Sequence, residues 1–295
     1  MHKRKTEKMT LNREGFLAEL YTPEEDRFPG KVLIVLTGGD GIFLIAKKTA
    51  KAFCQRGLHA LALCTWNHRG LPDTLTRVPL DTVQKAAVHL HKRGFEKVGL
   101  WGISLGAEYA LLCGAHLGEI SAVIAVSPFF LSTQAQQTVT LRHLTMRLFD
   151  APAYSLHGQD LPYAPLTLSG RRVFRDCVKT RSIATFSLFE GLMADAPEEA
   201  RIPVERIRGP VLLLSAGEDT MWNAPEACRQ MTARLREKDF SHAFLHLHYE
   251  EASHALLPFV TCGRFIYRIE RQKPEACRKS CEDAFEKTLG FLRTW

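Results

Sequence analysis

One serine stands between two glycines in Gly102-Ile103-Ser104-Leu105-Gly106, where the apolar run Val98-Gly99-Leu100 gives way to the small-residue stretch Ala107 to Ala110. A strand pattern that becomes a helix pattern through G-x-S-x-G can hold a serine hydroxyl out as a nucleophile. The glycines two positions either side remove the Cβ atoms that would clash in so sharp a turn. A helix beginning at Leu105 directs its N-terminus at the same point, and the Leu105 N–H can donate to an oxyanion. The alternative is a tight turn without chemistry, so the partners decide.

A serine hydroxyl needs a base, and the base needs an orienting carboxylate. The strand-like Val211-Leu-Leu-Leu-Ser215 is followed by Ala216-Gly217-Glu218-Asp219-Thr220, and His242 to Tyr249 by Glu250-Glu251-Ala252-Ser253-His254. Both sets follow Ser104 in chain order, each just past a later strand. Asp219 is the expected acid, with Glu218 its competitor, and His254 is the expected base. A second oxyanion donor is expected from Thr37-Gly38-Gly39-Asp40-Gly41, through the N–H of Gly39 or Asp40. The remaining histidines fit less well. His242, His246 and His248 share a strand face, while His68 and His157 are placed to touch a substrate at most.

The elements that must position these groups alternate strand and helix, the pattern of a parallel sheet with crossover helices. Strands are predicted over Lys31 to Thr37, Leu58 to Trp66, Lys97 to Trp101, Ile120 to Val126, Val211 to Ser215 and His242 to Tyr249. Helices are predicted over Leu44 to Arg56, Leu80 to Lys92, Leu105 to His116, Pro225 to Lys238 and Pro274 to Leu292. Residues 10–22 read as a strand or hairpin at the edge. From 129 to 205 the alternation stops, and the helix-like pieces Val139 to Phe149 and Val173 to Phe189 read as a helical cap inserted in a single domain of 1–295.

Composition narrows the function. The chain has 295 residues, is 45% hydrophobic, and carries a net charge of +7. Its basic residues are scattered, with no zinc-finger spacing and no aromatic RNA-binding signature, so nucleic acid is not an expected partner. No apolar run is long enough to span a bilayer, and no apolar segment follows the basic Met1 to Lys8, so a cytoplasmic protein is expected. Of the eight cysteines only Cys277-x3-Cys281 has ligand-like spacing, and no second pair lies near it. Neither a metal nor another cofactor is expected.

The stretches WNHRGLPDTL…PLDTVQKAAVHLHKRG, VGLWGISLGAEYALLCGA, GPVLLLSAGEDTMWN and ASHALLPF together resemble the C-terminal catalytic domain of the acyl-CoA thioesterases. That family also holds the bile acid-CoA:amino acid N-acyltransferases. The resemblance runs from about Pro29 to Phe259 and is carried most by GISxGAE and GEDxxW. It implies an α/β-hydrolase fold, with a mostly parallel central sheet flanked by helices. It also implies an acyl thioester substrate, with Ser104 as nucleophile, Asp219 as acid and His254 as base. The N-acyltransferases of the family carry cysteine where this chain has Ser104, so hydrolysis is expected over transfer. A carboxylesterase acting on oxygen esters is the alternative from the same residues.

Overall fold

The computed structural model describes residues 5–139, 145–259 and 263–295. Eight strands form the central sheet: β1 (Lys5–Met9), β2 (Leu17–Thr22), β3 (Lys31–Leu36), β4 (His59–Cys64), β5 (Lys97–Ile103), β6 (Ala122–Val126), β7 (Val211–Glu218) and β8 (Phe244–Ser253). Their spatial order is β1-β2-β4-β3-β5-β6-β7-β8. The pairings β1/β2 and β2/β4 are antiparallel, and every pairing from β4 to β8 is parallel. Six longer helices connect or flank them: α1 (Phe43–Gln55), α2 (Asp81–Lys92), α3 (Leu105–His116), α4 (Gly170–Thr180), α5 (Ala224–Glu237) and α6 (Pro274–Thr294).

The central strands read as near-continuous apolar runs because both of their faces are covered. Along β3, Val32, Ile34 and Leu36 face the core shared with α2, α3 and α5, whereas Leu33 and Val35 face the one shared with α1 and α6. Period-two alternation thus divides one apolar strand between two layers. Helix α3, which follows Ser104, is buried from Leu105 to Gly114. It is the one long helix without an amphipathic stripe, since the sheet lies on one side of it and the inserted segment on the other.

The expected strands and helices from Lys31 onward, outside 129–205, recur within a few residues at each end. Of 10–22, read as an edge strand or hairpin, only Leu17–Thr22 is a strand, one place in from the edge, and Leu11–Glu14 is a short helix. β1 was not anticipated. Its Lys-Thr-Glu-Lys-Met carries too much charge for a buried strand, and it forms by pairing along β2 at the sheet edge, where one side meets solvent.

The segment between β6 and β7 carries strands as well as helix. Gln134–Gln137 pairs antiparallel with Arg147–Pro152, so residues 147–149, read above as the end of a helix, are extended. Residues 140–144 of that expected helix lie outside the described residues. Tyr154–Leu156 pairs with Gln159–Asp160 and, in parallel, with Val78–Pro79. The helix expected over Val173 to Phe189 stops at Arg181, which adopts a left-handed conformation with φ 52°, and a short helix resumes at Phe186–Phe189. Local apolar spacing alone did not show these backbone pairings, which form only once the segment lies against the sheet.

Both ends of this segment are pinned. At its entry Ser127, with φ 46°, donates its N–H to Leu214 O at 2.7 Å and its hydroxyl to His254 O at 2.9 Å. At its exit Gly209 packs against β6 so closely that an added Cβ would lie 1.9 Å from Ser121 O. Among the described residues, no helix is long and apolar enough to cross a membrane.

Candidate active site

Ser104 sits between the end of β5 and the first residue of α3 with φ 59° and ψ −130°. A side chain in this region is strained, and such strain persists only where the surroundings enforce it. Here they do. The Ser104 N–H bonds Val126 O at 2.9 Å. A Cβ on Gly102 would lie 2.1 Å from Gly106 O, and one on Gly106 would lie 2.1 Å from Thr37 O. Both glycines are therefore required by close backbone approach.

The loop after β3 presses on the same point. A Cβ on Gly38 would meet Ser104 Cβ at 3.0 Å, and one on Gly39 would meet the Leu105 side chain at 2.8 Å. The Gly39 carbonyl accepts from the Thr138 hydroxyl, and the Asp40 carbonyl accepts from Asn67 Nδ2 at 3.1 Å. With those two carbonyls engaged, the loop is fixed beside the serine. The Asp40 carboxylate accepts from the Ile42 N–H at 2.6 Å. Burial raises its pKa, a rise that the nearby His254 opposes.

Asp219 and His254 meet directly. Asp219 Oδ2 accepts from His254 Nδ1 at 2.7 Å, with side-chain exposures of 1% and 6%. The other oxygen, Oδ1, accepts from the Met221 N–H at 2.8 Å and the Trp222 N–H at 3.4 Å. Its neighbour Glu218 is exposed on the last position of β7. Of the two carboxylates only Asp219 turns inward. With Nδ1 bonded to a carboxylate, the imidazole presents Nε2, which is buried and has no hydrogen-bond partner. Ser104 Oγ lies at the same ends of the strands and makes no hydrogen bond to that nitrogen.

His68 is exposed, and its Nδ1 lies 3.4 Å from Arg69 O. His157 pairs with Asp81 at 2.8 Å near the start of α2. His246 and His248 both contact Ser215 Oγ on the other side of the sheet edge, at 2.7 and 3.0 Å. None of these contacts the Asp219–His254 pair.

Residues 80–293 match the family described as BAAT / acyl-CoA thioester hydrolase C terminal. The chain belongs to this family. It is 24% identical over 293 residues to the peroxisomal succinyl-coenzyme A thioesterase of Mus musculus, covering 95% of this chain and 63% of that protein. To acyl-coenzyme A thioesterase 1 of Homo sapiens it is 27% identical over 223 residues, covering 73% of this chain and 47% of the relative. The chain thus spans about half to two thirds of the length of these relatives. Among solved structures it is similar to a putative dienelactone hydrolase from Klebsiella pneumoniae, with a TM-score of 0.59 and 13% identity over the whole of both chains. This likeness shows the α/β-hydrolase fold.

In this BAAT / acyl-CoA thioester hydrolase domain the surroundings of the triad candidates include residues to which the sequence reading gave no role, two of them, Trp222 and Glu108, within the motifs GEDxxW and GISxGAE. Trp222 stands edge-on to the His254 ring at 5.0 Å and donates its indole N–H to Pro128 O at 3.1 Å. It walls the imidazole from the core side, and its sequence signal was its place in GEDxxW, three residues after Asp219. Ser127 holds the His254 carbonyl and left no signal beyond preceding a proline. Glu108, four residues after Ser104, is fully buried and accepts from the Thr133 N–H at 2.8 Å and the Thr133 hydroxyl at 3.0 Å. Burial pushes its pKa up to about 8. Tyr154 donates to Leu105 O at 3.0 Å. Glu108 and Tyr154 thus fasten the helix behind the serine to the inserted segment.

Proposed function

We propose that this domain hydrolyses acyl-CoA thioesters through a serine acyl-enzyme, with Ser104 as nucleophile, His254 as base and Asp219 as orienting acid. The observation that carries this reading is the strained Ser104 at the strand ends where the buried Asp219–His254 pair leaves Nε2 unengaged. Family membership supports the thioester, since the curated relatives are named for coenzyme A thioesters.

The steps follow from the residue types. As Ser104 Oγ forms its bond to the acyl carbon, His254 Nε2 takes the hydroxyl proton, and the carbonyl oxygen becomes an oxyanion. The Leu105 N–H, at the start of α3, and an N–H of Gly39 or Asp40 stabilise that oxyanion. Collapse breaks the carbon–sulfur bond, and the imidazolium returns its proton to the departing thiolate. Asp219 holds the ring in the tautomer this requires and stabilises its positive charge. A water then attacks the ester, giving one proton to Nε2, and collapse of the second tetrahedral adduct regenerates Ser104 and releases the free acid.

An acyl-CoA panel, read by thiol release and by product mass in the presence of excess glycine, tests this. Free acid should accumulate with equimolar thiol, and rapid quenching should find the acyl group on the peptide containing Ser104. Thiol release undiminished in Ser104→Ala, or an N-acyl amino acid as the main product, would overturn the assignment.

A further inference from the structure

Of the nine large apolar side chains exposed among the described residues, eight follow the strand ends on the Ser104 side or lie on the segment inserted between β6 and β7. Ile42 and Leu44 follow the Gly39–Asp40 loop, and Val139 follows Thr138, which bonds that loop. The other five are Phe174 and Val178 on α4, then Ile183, Phe186 and Phe265. Phe174 is 72% exposed and Phe265 75%. Single exposed apolar residues are ordinary, but an apolar group of this extent marks an interaction surface.

The backbone joins the second of these groups. The Ile183 N–H donates to Ile266 O at 3.1 Å, which brings the chain after α4 against the short helix Gly263–Ile266 that carries Phe265. The Ile183 carbonyl accepts from the Thr220 hydroxyl at 2.7 Å, and the Thr185 hydroxyl donates to Met221 O at 2.9 Å. This surface is therefore fixed to the turn that carries Asp219.

Helix α4 shows what the surface would meet. None of its residues is buried. Val173, Asp176, Cys177 and Thr180 point inward as the half-buried set, leaving Phe174 and Val178 outside on one stripe, four residues apart. Next to that stripe the exposed face carries Arg171, Arg175, Lys179 and Arg172. Among the described residues Arg171, Arg172, Lys179 and Arg181 form no ion pair, whereas the one acid of α4, Asp176, accepts from the Ser187 N–H at 3.3 Å and pairs with Arg175 at 4.0 Å. Arg264 lies over the Phe265 ring at 4.9 Å. Aromatic and aliphatic tips bordered by unpaired cations are the composition of a helix that rests in a headgroup layer. A soluble protein partner would need acids placed to match each arginine, whereas an anionic bilayer offers negative charge wherever the cations fall.

We infer that α4 and the Phe265 helix form a docking surface for anionic phospholipid membranes, which places the mouth of the Ser104 site at the bilayer surface. The apolar tips enter the headgroup region, and the arginines and Lys179 meet lipid phosphates. The docking does not depend on the hydrolase assignment, since it is read without turnover.

Co-sedimentation of the whole chain with vesicles tests it, comparing pure phosphatidylcholine with vesicles containing about 30 mol% phosphatidylserine, an anionic surface of the kind that attracts basic segments. Binding should require phosphatidylserine and fall steeply between about 50 and about 500 mM salt. Arg171→Gln with Lys179→Gln should lower partitioning about thirty-fold, at about five-fold per cation. Phe174→Ala with Phe265→Ala should lower it at both salt concentrations, and because all four side chains are exposed the variants should melt as the wild type does. Absence of binding to the anionic vesicles, or equal binding by the wild type and both variants, would overturn the inference. So would a dimer in sedimentation equilibrium that Phe174→Glu dissolves, since a second copy would then cover this face.

Discussion

Replacing Ser104 in two ways separates its chemistry from its strain. Ser104→Ala removes the hydroxyl but keeps Cβ, and with it the backbone penalty at φ 59°, ψ −130°. It forfeits no helix cap, because the Ser104 side chain makes no capping bond to α3. Ser104→Gly removes the same hydroxyl and also the Cβ that lies against Gly38. A residue held in so sparse a region costs on the order of 1–3 kcal/mol. Glycine returns that, less about 0.4–1 kcal/mol for the extra freedom of the unfolded chain. Ser104→Gly should therefore be more stable than Ser104→Ala by about 1.3 kcal/mol at the midpoints of those ranges, which for a chain of this length is about 2 °C in Tm. Both should be inactive to within the background of the oxyanion donors, several powers of ten below wild type. Differential scanning calorimetry beside a thiol-release assay reads the two effects together. Equal Tm values, or a glycine variant that melts lower, would mean that the turn stores no strain at Ser104. Full activity in either variant would remove it from the chemistry.

Asp219→Asn should lower kcat by about four powers of ten, because the imidazole loses the partner that fixes its tautomer and stabilises its charge, while Glu218→Gln should leave steady-state rates within about twofold. The reverse ranking would show that the exposed neighbour is the acid. Glu108 makes stability depend on pH. Its pKa is about 8 in the folded chain and 4.5 when unperturbed, so folding takes up a proton between those values. Its contribution should be full below about pH 4.5 and fall as pH rises to about 8, with a slope of at most about 1.4 kcal/mol per pH unit. Glu108→Gln keeps the acceptor for the Thr133 N–H and should flatten this slope in urea titrations across the range, whereas an unchanged slope would place the titration elsewhere.

How much of this could be read from residues alone depended on where each contact is decided. The elbow, the acid and the histidine follow strand patterns whose ends are set by local composition, and Ser104, Asp219 and His254 fall at those ends. Asp219 was already the expected acid, but that it and not Glu218 is directed inward by the turn after β7 shows only in the structure. Gly102 and Gly106 were legible as glycines that a sharp turn demands, and the contacts at 2.1 Å supply the reason. The inserted segment was the least legible. Its strand Arg147–Pro152 and the break at Arg181 are settled by partners distant in sequence, and no periodicity within 129–205 could reveal them. Glu108 illustrates the same limit, since a glutamate near the start of a helix reads as a favourable first-turn charge until Thr133 closes over it.

The pinning of the inserted segment at Ser127 and Gly209 bears on how such domains diversify. Because the entry residue ties itself to Leu214 and to the backbone of His254, and the exit glycine is locked to Ser121, the two ends of the segment stay in place whatever runs between them. Lineages can therefore lengthen, shorten or exchange the intervening residues without moving the acid–base pair, provided that the new sequence still offers a residue to cover Glu108. The Ser104 end of the sheet acts as a socket, and what is plugged into it can be exchanged while the Asp219–His254 hydrogen bond stays in place.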